Sequence, residues 1–365
     1  MALDITKLRG FVSREIEPFA ADNDRSGKFP EEIIKKVAAE RYLGMCISEE
    51  HNGLGLTTVE QCQLIEEIAK ADASVACIVA AHASIGTFAV RHYGTEEQKQ
   101  KYLPKLASGE ILACFSLTEP DAGSDAANIQ TTAKGDGDYF VLNGHKIFAT
   151  NGKYADLITV AARTGDGHDG INIFLVGKNT EGLRIGKSAD KLGLRATDNC
   201  ELFFEDAKVP KENKIAGGFK AIMQALDESR VLIAAQAIGI AQRAYDLTLE
   251  HCSRREQFGK KLAEIDAVKE KLETIRKEIG EARKFLDVAI VKKDSGSRYT
   301  KEAAQAKIFA TEMTSKVTNL AIQLHGGKGI LRDYPIERLM RDAKVTEIYE
   351  GANDVLRTVV ERFNH

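Results

Sequence analysis

The chain of 365 residues lacks the marks of several function classes. Its six cysteines (Cys46, Cys62, Cys77, Cys114, Cys200 and Cys252) include no Cys-x-x-Cys pair. Its eight histidines form no His-Glu-x-x-His element, so no metal site is expected. Scattered cysteines in a chain of this size fit a reducing compartment better than a disulfide framework. No glycine-rich stretch follows a strand and opens a helix, as a dinucleotide fingerprint requires. "NGLGL" at Asn52–Leu56 and "GGKG" at Gly326–Gly329 both fail that test. Basic excess is missing as well: 51 Lys plus Arg stand against 54 Asp plus Glu, net −3, which offers no surface for nucleic acid. The longest apolar stretch, Val75–Gly86, contains His82 and Ser84 and is too short to span a bilayer. The N-terminal "MALDITKLRGFVSREIEPFA" is amphipathic and has no signal-peptide core. The expectation is a soluble, cytoplasmic protein.

What is present is an ordinary globular composition, 43% hydrophobic and 29% charged, in a chain long enough for two or three structural units. The hydrophobic period changes twice. Up to about Glu110 it is helical: "FPEEIIKKVAAERYLG" has Pro30 at a helix start and Gly44 as a stop, and "ASVACIVAAHASIGTFAVRHYG" is apolar nearly all round, hence buried. From Ile111 to Lys214 short strands alternate with turn residues. Asn143-Gly144 between two apolar runs predicts a hairpin there. Beyond Pro210 long amphipathic runs return over Ala221–His251, Ile265–Lys293 and Thr300–His325, with a further helix from Pro335. The expected fold is α+β multidomain: an N-terminal α-helical domain over 1–110, a middle β-barrel domain over 111–214, and a C-terminal four-helix bundle over 215–365.

Two stretches invite a functional reading. "EIYEGANDVLR", Glu347–Arg357, places Glu350 at a helix end, where the helix dipole disfavours negative charge. It reads as a solvated junction, with Gly351 closing one helix and Asn353 or Asp354 capping the next, or as a base held beside a buried ligand. "CFSLTEPDAGSD", Cys114–Asp125, is a strand followed by a sharp turn whose amides suit an anion or simply make a loop.

Taken in order with "YLPKLASGE", "LNGHKIFATNG", "FFEDAKVP", "SRREQFGKKLAEIDAVKEKL" and "LHGGKGILRDYPIERLMRDAKVTEIYEGANDVLR", these stretches resemble the acyl-CoA dehydrogenase family of FAD flavoproteins over nearly the whole chain. "AAHASIGTFAVRHYGTEEQKQKYLPKLASGE" and the ending Asn-Asp-Val-Leu-Arg look most like the very-long-chain branch, without its C-terminal extension. The resemblance implies Glu350 as catalytic base, with Phe115, Leu117 and Thr118 along the flavin and Ser124 at the pyrophosphate or the acyl-CoA. It implies Phe148 and Thr150 on the other side of the ring. It further implies Arg255, Gln257 and Phe258, with Gln323, Gly326 and Gly327, reaching FAD from a neighbouring subunit, in a homotetramer built as a dimer of dimers. Asp227 and Arg230, one helical turn apart, would meet the CoA portion, and Gly351, Ala352 and Asp354 would line the site.

Three positions depart from the family pattern. Phe148 is often Trp in relatives, Ala352 replaces a usual Thr, and Asp266 stands where many have Gln. Ser229 occupies the position from which some relatives supply the base, which leaves that role to Glu350. The implied reaction is α,β-dehydrogenation of an acyl-CoA thioester in fatty acid β-oxidation, with electrons passed to an electron-transfer flavoprotein. Same-fold alternatives are an acyl-CoA oxidase, an enoyl-CoA reductase, and a non-catalytic flavin- or CoA-binding subunit. Small Ala80 and Ala81 in the buried helix leave room for a deep acyl pocket.

Overall fold

The computed structural model describes residues 2–363. The N-terminal part is helical: α1 (Ile5–Glu15), α2 (Ala20–Ser26), α3 (Glu31–Ala39), α4 (Thr58–Ala71), α5 (Ala73–Ala81), α6 (Thr87–Tyr93) and α7 (Glu96–Ser108). Thr57 caps α4 in a reciprocal box with Glu60, and Asp72 caps α5 by accepting from the amides of Ser74 and Val75. A five-residue π turn, His82–Gly86, joins α5 to α6 without a break. Ala73–Tyr93 is therefore one 21-residue helix, long and apolar enough by length and composition to cross a membrane, contrary to the expectation from Val75–Gly86 alone. It is 94% buried inside the fold, the situation of a core helix, which explains why it is apolar on every face.

The middle part is a single eight-stranded sheet: β1 (Ala113–Ser116), β2 (Thr132–Asp136), β3 (Tyr139–Thr150), β4 (Leu157–Arg163), β5 (Ile171–Gly177), β6 (Leu183–Ser188), β7 (Asn199–Pro210) and β8 (Lys214–Ile215). The order is β6-β7-β3-β2-β4-β5-β8, with β1 parallel to β4. Alternation along β5 divides two cores. Ile171, Ile173 and Leu175 face the helices, whereas Phe174 and Val176 pack with Ile158, Val160, Leu202 and Phe204 inside the sheet domain. The β2–β3 turn is at Gly137-Asp138; Asn143-Gly144, expected to form a hairpin, lies within β3. There the register slips against β7, and the Asn143 amide pairs with Asp206 in both directions. A side chain on Gly144 would run into Thr131, so the glycine serves a close crossing rather than a turn.

The C-terminal helical part contains α8 (Gly218–Arg254), α9 (Asp266–Asp294), α10 (Thr300–His325), α11 (Pro335–Thr346) and α12 (Asn353–Glu361). Between α8 and α9 a small hairpin, β9 (Glu256–Gln257) with β10 (Lys260–Lys261), turns on Phe258-Gly259, both with positive φ. The buried stripe of α10 runs Ala303, Ala306, Ala310, Val317, Ala321 and Leu324 against α8 and α9. Helix α11 is locked to the sheet domain: Leu194 N–H donates to Asp342 at 2.6 Å, and Arg341 binds the Leu192 carbonyl and Asp24. That contact fixes the helix whose end carries Glu350.

Candidate active site

Helix α11 ends at Thr346, and residues 347–350 form the turn before α12. Glu350 has φ +55° and Gly351 φ +101°. The left-handed region is unfavourable for a non-glycine residue by roughly 1–2 kcal/mol, and such a residue persists only where its surroundings over-determine it. They do so here. Arg230 Nε donates to the Glu350 carbonyl at 3.0 Å, and Asn353 N–H to the Glu347 carbonyl at 3.1 Å. Lys307 Nζ donates to the carbonyls of Glu347 and Gly351 at 3.0 and 2.9 Å. Tyr349 OH donates to Gln236, whose amide in turn donates to the Ala73 carbonyl at the start of α5.

The Glu350 residue as a whole is half-buried, but its Oε2 is sealed from solvent and has no hydrogen-bond partner. Burial pushes its carboxyl up to about 7, against the pull of Arg230, Lys307 and the Ser229 hydroxyl, each of which favours the anion. Ser229, where some relatives would carry the base, thus supports Glu350. Arg230 also donates to Asp227 at 2.8 Å, and Thr300 donates to the other Asp227 oxygen. Burial raises the Asp227 carboxyl even so.

The structure corrects the expected cap of α12. Its N-cap is Ala352, extended and without a side-chain hydrogen bond. Asn353 is the first helical residue, turned inward to Lys307 and Thr311, because the buried ammonium competes successfully for its amide oxygen. Asp354 is exposed beside Arg357.

A second group lies on β1 and β3. Phe115 is half-buried, Leu117 is buried, Thr118 is half-buried, and Ser124 is exposed in the following turn. Ile147 N–H donates to the Thr118 carbonyl, tying that turn to β3. Beneath them Lys146, fully buried, donates to the Leu117 carbonyl and to Glu119, both at 2.8 Å. Burial lowers Lys146 to about 8. The same burial works against the Glu119 anion, but Lys146 and the amides of Gln130 and Thr131 outweigh it and lower that carboxyl. At the far end of β3 a bulge sets Phe148 at φ +55°, a large apolar residue left 61% exposed. Thr150 Oγ1 accepts from Asn199. Phe115 packs on Ala81, Ile85, Phe88 and Ala225, and Ala225 precedes Asp227 and Arg230 on α8. Phe115 and Glu350 therefore flank one region between α5–α6, α8 and β1. Of the two small residues expected beside an acyl pocket, Ala81 packs with Ile85 and Phe88 in this region and Ala80 belongs to the main core.

A third group stands apart. Arg255, Gln257 and Phe258 are exposed on the β9–β10 hairpin, Phe258 at 96%. Gln323, Gly326 and Gly327 are exposed at the end of α10, where His325 stacks on His251 at 4.4 Å between ring centroids. Along the straight run of α8 this end lies ~36 Å from Arg230, at 1.5 Å per residue.

Sequence reasoning missed Lys307, Asn353 as its partner, and Lys146. The signal for Lys307 was available: it sits among Ala303, Ala304, Ala306 and Ala310 on the apolar stripe of α10.

Family models match the chain in succession: acyl-CoA dehydrogenase N-terminal domain over residues 5–110, middle domain over 114–207, and C-terminal domain over 216–364. The chain belongs to the acyl-CoA dehydrogenase family. It is an oxidoreductase of that family. A short-chain specific acyl-CoA dehydrogenase of Clostridium acetobutylicum is 41% identical over 358 residues, covering 97% of this chain and 94% of that one. An acryloyl-CoA reductase (NADH) of Anaerotignum propionicum is 41% identical over 361 residues, 97% and 91% of the two chains. Among solved structures, butyryl-CoA dehydrogenase from Megasphaera elsdenii superposes with a TM-score of 0.96 at 37% identity, over 99% of this chain and 97% of that one. A structure of the electron transferring flavoprotein of Acidaminococcus fermentans gives 0.97 at 39% identity, over 99% and 96%. The likeness to the short-chain specific enzyme and to butyryl-CoA dehydrogenase replaces the expected likeness to the very-long-chain branch. The stretch that suggested that branch runs from the end of α5 through α6 and α7, which pack against the sheet domain and one another; Ala81, Ile85 and Phe88 within it pack with Phe115.

Proposed function

We propose that this acyl-CoA dehydrogenase oxidises a short acyl-CoA thioester to the trans-2-enoyl-CoA, with Glu350 removing the α-proton. One observation carries the reading: a carboxylate held in a left-handed turn, with one oxygen sealed and unpartnered and its affinity for protons raised to about 7. A base needs a proton affinity near working pH and a lone pair not already taken by a donor; Glu350 has the first, raised to about 7, and its Oε2 has no hydrogen-bond partner. The α-proton of a thioester is weakly acidic, so the developing enolate charge needs donors close by.

The residues on β1 and β3 fit FAD. Phe148 is exposed, Thr118 is half-buried in the turn tied to β3, Thr150 lies two residues along β3 from Phe148, and a Cβ on Gly326 or Gly327 would meet nothing within 4 Å. When bound, FAD supplies the hydride acceptor for the β-hydrogen. Leu117, Thr118 and Ser124 would hold it on one side and Phe148 with Thr150 on the other. Arg255, Gln257 and Phe258, with Gln323, Gly326 and Gly327, would reach it from a second copy, in an oligomer built as a dimer of dimers; their exposure and their distance along α8 from Arg230 support that reading. Asp227 and Arg230 would face the CoA portion, beside Gly351. Ile85 and Phe88 favour a short acyl chain. An electron-transfer flavoprotein is the proposed electron acceptor, supported by the likeness to the Acidaminococcus structure.

The reverse reaction is the second reading, favoured by the likeness to an acryloyl-CoA reductase. Anaerobic mixing with butyryl-CoA tests both. Bleaching of the flavin absorbance supports dehydrogenation; NADH-dependent reduction of an enoyl-CoA without such bleaching would transfer the assignment to the reductase. Glu350→Gln is expected to retain FAD and lose bleaching by about 10³-fold. Retained turnover in that variant would remove Glu350 from the mechanism.

A further inference from the structure

We propose that Lys307 is a positioning residue for Glu350, its ammonium gripping both sides of the turn that carries the carboxylate. The inference rests on the reading of Glu350 as the base.

Lys307 is fully buried on α10, and no carboxylate pairs with it among the described residues. Its three protons have three acceptors: the Glu347 carbonyl at 3.0 Å, the Gly351 carbonyl at 2.9 Å and Asn353 Oδ1 at 2.8 Å. These acceptors bracket Glu350, three residues before it, one after and three after. Capping the end of α11 would not need a lysine, since water or a hydroxyl would satisfy its last carbonyls at lower desolvation cost. What a buried cation adds is a rigid grip on two peptides flanking a residue in an unfavourable backbone region, together with positive potential beside its carboxylate. Arg230 completes the clamp from α8 by holding the peptide carbonyl between them. With α10 and α8 both engaged, the turn is fixed from two sides of the bundle.

The charged and titratable groups around the pair come from every neighbouring element. Lys307 faces Arg230 from α8, Glu350 and Glu347 from the turn, and Glu312 from its own helix. Glu350 faces Arg230 and Ser229 from α8, Lys307 from α10, and Cys77 from α5. Burial and Arg230 lower Lys307 itself to about 7, while Glu350 and Glu347 favour its charge; the charged lysine and Arg230 in turn favour the Glu350 anion, so loss of the Lys307 charge makes the base harder to ionise.

Lys307→Gln in the holoenzyme tests this, since glutamine can still donate but carries no charge. The expected result is a fall in kcat of about 100-fold with KM for butyryl-CoA little changed, as for a misplaced catalytic group. FAD absorbance should be kept, and the rising limb of the pH–kcat profile should move to higher pH. Hydrogen–deuterium exchange of the peptide over residues 347–353 should speed up, while exchange in the middle of α8 stays as in the wild type. A purely structural lysine would lower stability without moving the pH limb. An unmoved limb, or unchanged exchange in the turn, overturns the proposal. Should Lys307→Gln not fold, Asn353→Ser removes one acceptor and leaves the lysine. Faster exchange of the same peptide with a lower kcat supports the grip; wild-type exchange and kcat overturn it. Turnover by Glu350→Gln would instead overturn the reading of the base, leaving the exchange results to judge the grip alone.

Discussion

Arg230 Nε donates to the carbonyl oxygen of Glu350 at 3.0 Å, while the same guanidinium binds Asp227 at 2.8 Å. One planar fork thus ties the backbone of the proposed base to a buried carboxylate on α8. Lysine has no such fork. Arg230→Lys is expected to keep FAD and to lower the anaerobic bleaching rate about 10- to 100-fold, through loss of geometry. A wild-type rate would show that the turn holds without it.

The raised proton affinity of Glu350 sets the pH dependence. Removing an α-proton needs the anion, so turnover should rise as pH passes through about 7, and a pH–rate profile checks this. The linkage to stability has the opposite sense. A carboxyl raised above its unfolded value of 4.5 contributes stability below that value and loses it as pH rises through about 7. Glu350→Gln should therefore gain in Tm relative to the wild type between about pH 5 and pH 8. Parallel Tm curves would contradict the raised value.

Phe88 is 5% exposed and packs with Ile85, Ala81 and Ala225. Phe88→Ala should open the region beside Phe115 and raise the octanoyl-CoA to butyryl-CoA ratio of kcat/KM by about tenfold or more. Its Tm should fall, since such truncations remove about 3–5 kcal/mol of core packing. An unchanged ratio would place the chain-length stop elsewhere.

Ala352 occupies an N-cap with extended backbone and no side-chain cap. Ala352→Thr supplies an oxygen to the free amides at the start of α12, and such caps contribute about 1 kcal/mol. Tm should rise by about 2 °C, measured by thermal melting. A lower Tm would mean that the hydroxyl has no room.

Much of this was legible along the chain because periodicity is a local property. The helix Thr300–His325 was read to its end residues, and the apolar helix before Tyr93 was read as buried, since each follows from side-chain spacing alone. Asn143-Gly144 misled because a preferred turn pair also suits a bulge, and the partner strand β7 decided between them. Asn353 misled for a related reason: a good capping residue was drawn inward by a lysine 46 positions away.

Glu350 shows where the boundary falls. Its type and its place at a helix end are written in "EIYEGAND", and taken alone they favour a solvated junction over a buried base. The left-handed backbone is held by Arg230 and Lys307, which reach the turn from α8 and α10, while the sealed oxygen and the raised proton affinity come from burial, against the pull of those two cations and Ser229. The separation of Arg255 and Phe258 from that turn is likewise a matter of how far a 37-residue helix carries them. Spacing fixes which faces of the helices and strands are apolar; desolvation and charge at Glu350 depend on groups brought together from distant segments, and those only the tertiary structure sets.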